Sequence, residues 1–191
     1  MTSTLFQLET ARLLFRPWQD EDRACFAALC ANPEVMRYFA APLSQQQSNE
    51  AIDRYIAFFE RDGFCMMPAR LRETDEFVGV IGIQTMRDIV DGLEQPAVEV
   101  GWRLLPEAQG KGLATEGARA LLDHGFHTLH LPQIVAITAI HNAPSRRVME
   151  KLDMIYRPEL DFDHPRVPDG HPHRRHVLYS LRNPDLESQE A

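Results

Sequence analysis

The chain has 191 residues, of which 44% are hydrophobic and 25% charged, a globular composition and about one domain's worth of length. Lys and Arg number 20 against 28 Asp and Glu, a formal net charge of -8, which speaks against a nucleic-acid-binding coat and against a polybasic membrane anchor. There is no run of about 18 apolar residues, and MTSTLFQLETARLLF lacks the basic start and apolar stretch of a secretory leader. The expectation is therefore a cytoplasmic protein with no membrane partner. An anionic ligand stays possible, because main-chain amides and a helix dipole can hold one without basic side chains.

Leu13 to Phe15 reads as a short strand stopped by Pro17. Asp20, Glu21 and Asp22 suit the positive end of a helix whose apolar stripe is Cys25, Phe26 and Leu29. Asn32-Pro33 breaks it, and Glu34 to Phe39 reads as a further short turn of helix. The three cysteines, Cys25, Cys30 and Cys65, are odd in number and form no CxxC pair, so small buried hydrophobes are expected rather than disulfides or a zinc site. Ser44 and Gln47 form a capping-box pattern. Ala51, Ile52, Tyr55, Ile56 and Phe59 follow as one helical face, and Gly63 suits its left-handed end.

Strands are predicted at Phe64 to Leu71, Phe77 to Met86 and Val98 to Leu105, with Pro68 marking an edge or a bulge. QGKGLAT follows, then a helical stripe from Ala114 to Phe126. Ile134 to Ala139 reads as a buried strand, Ser145 to Leu152 as a short helix, and Met154 to Leu160 and His176 to Leu181 as the last strands. His164 to Arg175 is a Pro- and His-rich loop, and 183–191 an acidic, frayed tail. The order predicts a single α/β domain over residues 1–182, its sheet antiparallel early and mixed later.

The most informative segment is the strand, loop and helix around residues 98–126. Gly110 and Gly112 flank Lys111, so the backbone can turn tightly and present bare amides. A helix N-terminus with unsatisfied N–H groups follows directly, and Thr115 can add a hydroxyl. Together these make a phosphate-sized anion site; the alternative is a plain connection. The pattern is neither a P-loop nor a dinucleotide fingerprint.

Here the sequence resembles a known family. Gln109-Gly110-Lys111-Gly112-Leu113-Ala114 matches the Q/R-x-x-G-x-G/A signature of the GNAT acetyltransferases. ETARLLFRPW resembles the opening of the branch that acetylates ribosomal-protein N-termini, the RimJ/RimL-like branch. VEVGWRLLPEAQGKGLATEGARALLDHGF resembles its central strand, loop and helix. Asn142, Ser145 and VMEKLDM resemble its second cofactor segment, and HVLYSL its last strand. The resemblance runs from about Glu9 to Arg182 in consistent order. It implies a mostly antiparallel mixed sheet with splayed central strands, acetyl-CoA as cosubstrate, and an amine acceptor, either a small molecule or a peptide N-terminus.

What the resemblance implies for single residues is as follows. The amides of Gln109, Gly110, Lys111, Gly112, Leu113, Ala114 and Thr115 hold the diphosphate. The pantetheine arm lies along Glu99 to Leu105, at Gly101, Trp102 and Leu104, where one main-chain N–H points at the thioester oxygen. Asn142 contacts the arm; its alternative is an Asx turn before Pro144. Ser145 either protonates the leaving thiolate or caps its helix. Met149 stands where many members have a Tyr acid, and Asp153 stands at the usual glycine, a turn with positive φ that Asp tolerates.

Glu99 is the candidate base: partial burial in an apolar strand raises a carboxyl pKa. Its alternative is a solvated strand carboxylate. Tyr38 and Phe39 are candidates to wall the acceptor pocket, against ordinary core packing. His171, His173 and His176 have a spacing that can converge on zinc, but the adjacent Arg174 and Arg175 repel a cation, and no metal is expected. Two readings of function stand: a direct-transfer N-acetyltransferase, and a GNAT-fold module that binds coenzyme A and transfers nothing. The acidic net charge favours cationic acceptors by steering. Oligomeric state is left open, a homodimer included.

Overall fold

The computed structural model describes residues 6–87 and 89–187. Leu8–Glu9 (β1) and Leu13–Phe15 (β2) form the outer edge of the sheet, followed by Asp22–Ala31 (α1) and Gln45–Asp62 (α2). Met66–Leu71 (β3), Phe77–Met86 (β4) and Ala97–Leu104 (β5) form a meander. A single turn of 3-10 helix, Pro106–Ala108, leads to Leu113–His127 (α3). Gln133–Ala139 (β6), Ala143–Lys151 (α4), Ile155–Tyr156 (β7), Phe162–Asp163 (β8), Arg175–Arg182 (β9) and Pro184–Glu187 (α5) complete the chain. Among the described residues the strands make one nine-stranded sheet in the order β1-β2-β3-β4-β5-β6-β9-β7, with β8 also on β9. Every pairing is antiparallel except β5 with β6. This is the single mixed, mostly antiparallel α/β fold expected.

The two faces of the meander are set by alternation. Ile81 and Ile83 of β4 face α3: a Cβ added at Gly117 would sit 2.7 Å from Ile81, and one at Gly125 2.6 Å from Ile134. The two helix glycines are what allow α3 to lie so close to the sheet. Val100 and Trp102, the cross-strand partners of Ile83 and Ile81, share that face. Glu99, Gly101 and Arg103 occupy the opposite one, under α1 and α2.

The capping box at Ser44 forms as read, with Gln47 N–H donating to Ser44 Oγ and Ser44 N–H to Gln47 Oε1, and Gly63 closes α2 at φ 80°. Pro68 is not at the sheet edge. Met66 C=O accepts from the Trp18 indole on the β2 side, so by alternation the Pro68 nitrogen also faces away from β4, just past the end of β2, and a bulge follows between Ala69 and Arg70. Other expectations are corrected. Cys25 is exposed, and the buried stripe of α1 is Phe26, Leu29 and Cys30. Residues 34–39 form turns and a bend rather than helix, although Asn32 Oδ1 accepts from Glu34 and Val35 N–H at their start. The strand read as reaching Leu160 stops at Tyr156 and passes into a 3-10 turn started by Pro158. Asn183 is not part of a frayed end: it is buried, its amide donating to Phe126 O and Leu131 O, and 184–187 turn as helix; residues 188–191 lie outside the described residues.

Asp22 is fully buried, and its carboxylate accepts from Arg16 Nη1 at 2.7 Å, Arg70 Nη1 at 2.9 Å and Gln19 N–H at 2.9 Å. It joins β2, α1 and β3 through two largely enclosed guanidiniums. Asp22→Ala leaves both without their anion and is expected to cost about 3–5 kcal/mol of stability, read by urea denaturation; an unchanged midpoint would refute this role.

Candidate active site

β5 and β6 run parallel but pair at one position, Glu99 with Val135, whereas β4 and β5 pair continuously from Gly79–Leu104 to Met86–Ala97. Beyond Glu99 the two central strands therefore part. Leu105 N–H donates to Val78 O of β4, so by alternation the main-chain groups of Gly101 and Arg103 also address β4. Those of Trp102 and Leu104 face the gap. Of the amides that sequence reasoning left open for an acyl oxygen, alternation selects these two.

Glu99 lies at the mouth of this gap on the α1/α2 face. Its Oε2 accepts from Gln84 Nε2 of the neighbouring strand at 3.1 Å. The surrounding protein desolvates the carboxyl and pushes its pKa up from 4.5 to about 7; the Gln84 hydrogen bond and the charge of Arg166 pull the other way and only partly offset this. The strand carboxylate is thus half-buried and poised near neutrality. Met66, from β3, lies against Gly101, 3.5 Å from where a Cβ would stand.

The loop after β5 is built to turn. Gln109 Nε2 donates to Leu104 O at 2.9 Å and ties the loop back to the strand. Gly110 and Gly112 take φ 71° and 80°, and Gly112 is the residue that opens α3. Glu116 N–H closes on Gly112 O, leaving the amides of 113–115 at the positive end of a 15-residue helix. A Cβ at Gly110 would meet no atom within 4 Å, so the loop has room on its outer side. Open space, bare donors and a helix start fit a diphosphate.

Sequence reasoning missed the group that fixes this loop. Arg12 Nη1 donates to Lys111 O at 2.9 Å, and Arg12 Nε and N–H both bind Glu116, at 2.6 and 2.8 Å. Thr10 Oγ1 donates to the same carboxylate at 2.6 Å. A trans peptide directs its C=O and following N–H oppositely, so gripping Lys111 O turns Gly112 N–H to the other side. Arginine reaching a loop 99 residues away in sequence left no local signal, although Thr10 and Arg12 belong to the ETARLLFRPW opening.

On the far side of the gap, Asn142 heads α4. Its Oδ1 accepts from Ser145 N–H at 3.3 Å, and its Nδ2 donates to Thr138 Oγ1 at 2.9 Å and Ser145 Oγ at 3.0 Å. Both amide hydrogens are used within the protein, and Asn142 rather than Ser145 caps α4. Ser145 Oγ, accepting from Asn142, keeps its own hydrogen to donate. Met149 is 1% exposed in the core, so the position where the resemblance implies a Tyr acid offers no polar group to the gap. Asp153 does take positive φ, 61°.

Tyr38 and Phe39 reach the same side as Glu99. Arg103 stacks 4.4 Å over the Phe39 ring, and Tyr38 meets His173 edge-on at 5.8 Å. The 164–175 loop thus leans on the turns after α1, and through Arg166 it approaches Glu99. Within and beside this loop, His164 lies 4.8 Å from His176 of β9 and His171 5.3 Å from His173. Among the described residues no three His, Cys, Asp or Glu side chains converge as a metal-ligand set.

Residues 12–155 match the family model described as "Acetyltransferase (GNAT) domain". Among curated relatives, YkkB of Bacillus subtilis (strain 168) is 31% identical over 78% of this chain and 86% of its own length. YnaD of the same organism, named an uncharacterized N-acetyltransferase, is 29% identical over 77% and 81%. Among solved structures, an acetyltransferase from Agrobacterium tumefaciens str. C58 superposes with a TM-score of 0.76 at 26% identity, covering 95% of this chain and 97% of that one. RimL, a ribosomal L7/L12 alpha-N-protein acetyltransferase solved with coenzyme A, gives 0.74 at 15% identity over 93% and 98%, a likeness of fold.

The environment of Glu99 has a thermodynamic signature. Its pKa is higher folded than unfolded, so the folded state holds the proton more tightly, and this group's contribution to stability falls as pH rises from 4.5 through about 7. Glu99→Gln, which cannot ionise, should therefore gain stability relative to the parent across that window and not below it. Thermal midpoints compared from acid to neutral pH check this, and parallel curves would show that Glu99 is solvated.

Proposed function

The chain belongs to the GNAT acetyltransferase family, and from that premise we propose that it moves an acetyl group from acetyl-CoA to a primary amine by direct transfer in a ternary complex. The observation that carries this is the juxtaposition of a strand gap, an anion loop at its end and a carboxylate with pKa about 7 at its mouth. The opening motif supports placing it near the branch that acetylates protein N-termini.

Acetyl-CoA supplies an acyl group already activated as a thioester. Gly110, Gly112 and the first amides of α3 hold its diphosphate, and the gap-facing edge of β5 at Trp102 and Leu104 takes the arm as an added strand. Glu99 accepts a proton from the attacking ammonium or amine. A pKa near 7 suits this work at neutral pH, most easily for an α-amine with a reference pKa of about 7.7–8.0. The Trp102 and Leu104 N–H groups point where an acyl oxygen gains charge. Ser145 donates its hydroxyl hydrogen to the departing sulfur, with Asn142 fixing the hydroxyl's orientation. Asn142 thereby acts through Ser145 rather than on the arm. Tyr38 and Phe39 wall the acceptor side.

Two outcomes follow. Calorimetry with coenzyme A should give a clear affinity that falls about tenfold or more when Gly112→Val forces a β-branched residue to φ 80°, and falls to a lesser extent with Arg12→Ala, Arg12→Lys restoring part of it. Unchanged affinity in Gly112→Val would remove the loop from the site. In a thiol-release assay over a panel of amines, kcat/KM should rise with pH through about 7 and then level; Glu99→Gln should lower it about 100-fold and abolish the inflection. Binding of coenzyme A with no release on any amine would favour the module that binds and transfers nothing.

A further inference from the structure

Arg103 follows Glu99 and Gly101 on the acceptor face of β5. Its guanidinium lies 4.4 Å over the Phe39 ring and 6.0 Å from the Phe26 ring, and Nη1 donates to Cys30 Sγ at 3.0 Å. Its Nε is buried and has no hydrogen-bond partner. Among the described residues Arg103 pairs with no carboxylate, in a chain that carries 28 Asp and Glu. The contrast with the other enclosed arginines is sharp: Arg16 and Arg70 each have Asp22 within 3.0 Å. A thiol is a weak acceptor and aromatic faces carry no formal charge, so the planar fork of donors lacks the anion it is shaped for. Arg166 likewise pairs with no carboxylate among the described residues, and its charge is felt at Glu99. His173, which meets Tyr38, also holds a buried Nδ1 with no partner. The acceptor side of an acidic protein thus carries two guanidiniums, Arg103 and Arg166, that pair with no carboxylate among the described residues.

We propose that the acceptor amine carries a carboxylate or a phosphate as a second group, and that Arg103 binds this anion while Glu99 receives the amine. This rests on the function proposed above and names its acceptor class. The anion supplies the guanidinium with the charged acceptor that neither Cys30 Sγ nor the aromatic rings provide.

The test uses matched acceptors at saturating acetyl-CoA: γ-aminobutyrate against butylamine, O-phosphoethanolamine against ethanolamine, and spermidine as the cationic arm. The two anionic pairs separate carboxylate from phosphate. The full-length protein should show kcat/KM about tenfold or more higher for the anionic member of at least one pair. Arg103→Gln should collapse that ratio towards unity with KM for acetyl-CoA as in the parent, which reports an intact fold, and Arg103→Lys should keep part of it. Equal or better use of the uncharged amines or spermidine, or a preference that survives Arg103→Gln, would overturn the inference while leaving the acetyltransferase reading standing. Failure to acetylate any amine despite coenzyme A binding would overturn both.

Discussion

The parallel strands β5 and β6 share one bridging pair, Glu99 with Val135, and then separate. Every part of the site depends on that separation. A parallel neighbour would otherwise cover the edge of β5, and the N–H groups of Trp102 and Leu104 would be consumed in the ladder. The continuous antiparallel pairing of β5 with β4 on its other side, and of β6 with β9, holds each strand in the sheet while the two diverge. The gap therefore belongs to the topology, and side chains only furnish it.

The furnishing follows a consistent rule: groups that would act on a ligand are held by groups that would not. Arg12 and Glu116 set the Lys111–Gly112 peptide, Gln109 ties the loop to Leu104, and Asn142 orients Ser145. The holders come from different parts of the chain, so the donors are fixed before any ligand arrives and little ordering is left to the moment of binding. Glu99 is tuned differently. Desolvation raises its pKa, and a single hydrogen bond from Gln84 keeps the side chain in place without restoring full acidity.

Much of this was legible in the sequence where the signal was local. The Ser44 capping box, the Gly63 stop, the glycine-flanked Lys111 and the positive φ of Asp153 are properties of a few consecutive residues, and they formed as read. Glu99 stood out as a carboxylate inside an apolar strand. What sequence could not give were contacts between distant segments: Arg12 on the loop, Asp22 between Arg16 and Arg70, and Arg103 left without an anion. Errors of the other kind arose where local chemistry outbid periodicity. Residues 34–39, read as a further turn of helix, form turns, and the strand read as reaching Leu160 stops at Tyr156 before Pro158.

The main-chain donors at the start of α3 are the centre of this account, and crystallography of the complex with coenzyme A addresses them most directly. The diphosphate should lie within about 2.7–3.2 Å of amide nitrogens between Gly110 and Thr115, with the thiol end of the molecule running up the gap beside Trp102. Density for the diphosphate anywhere else, with those amides left to solvent, would contradict it.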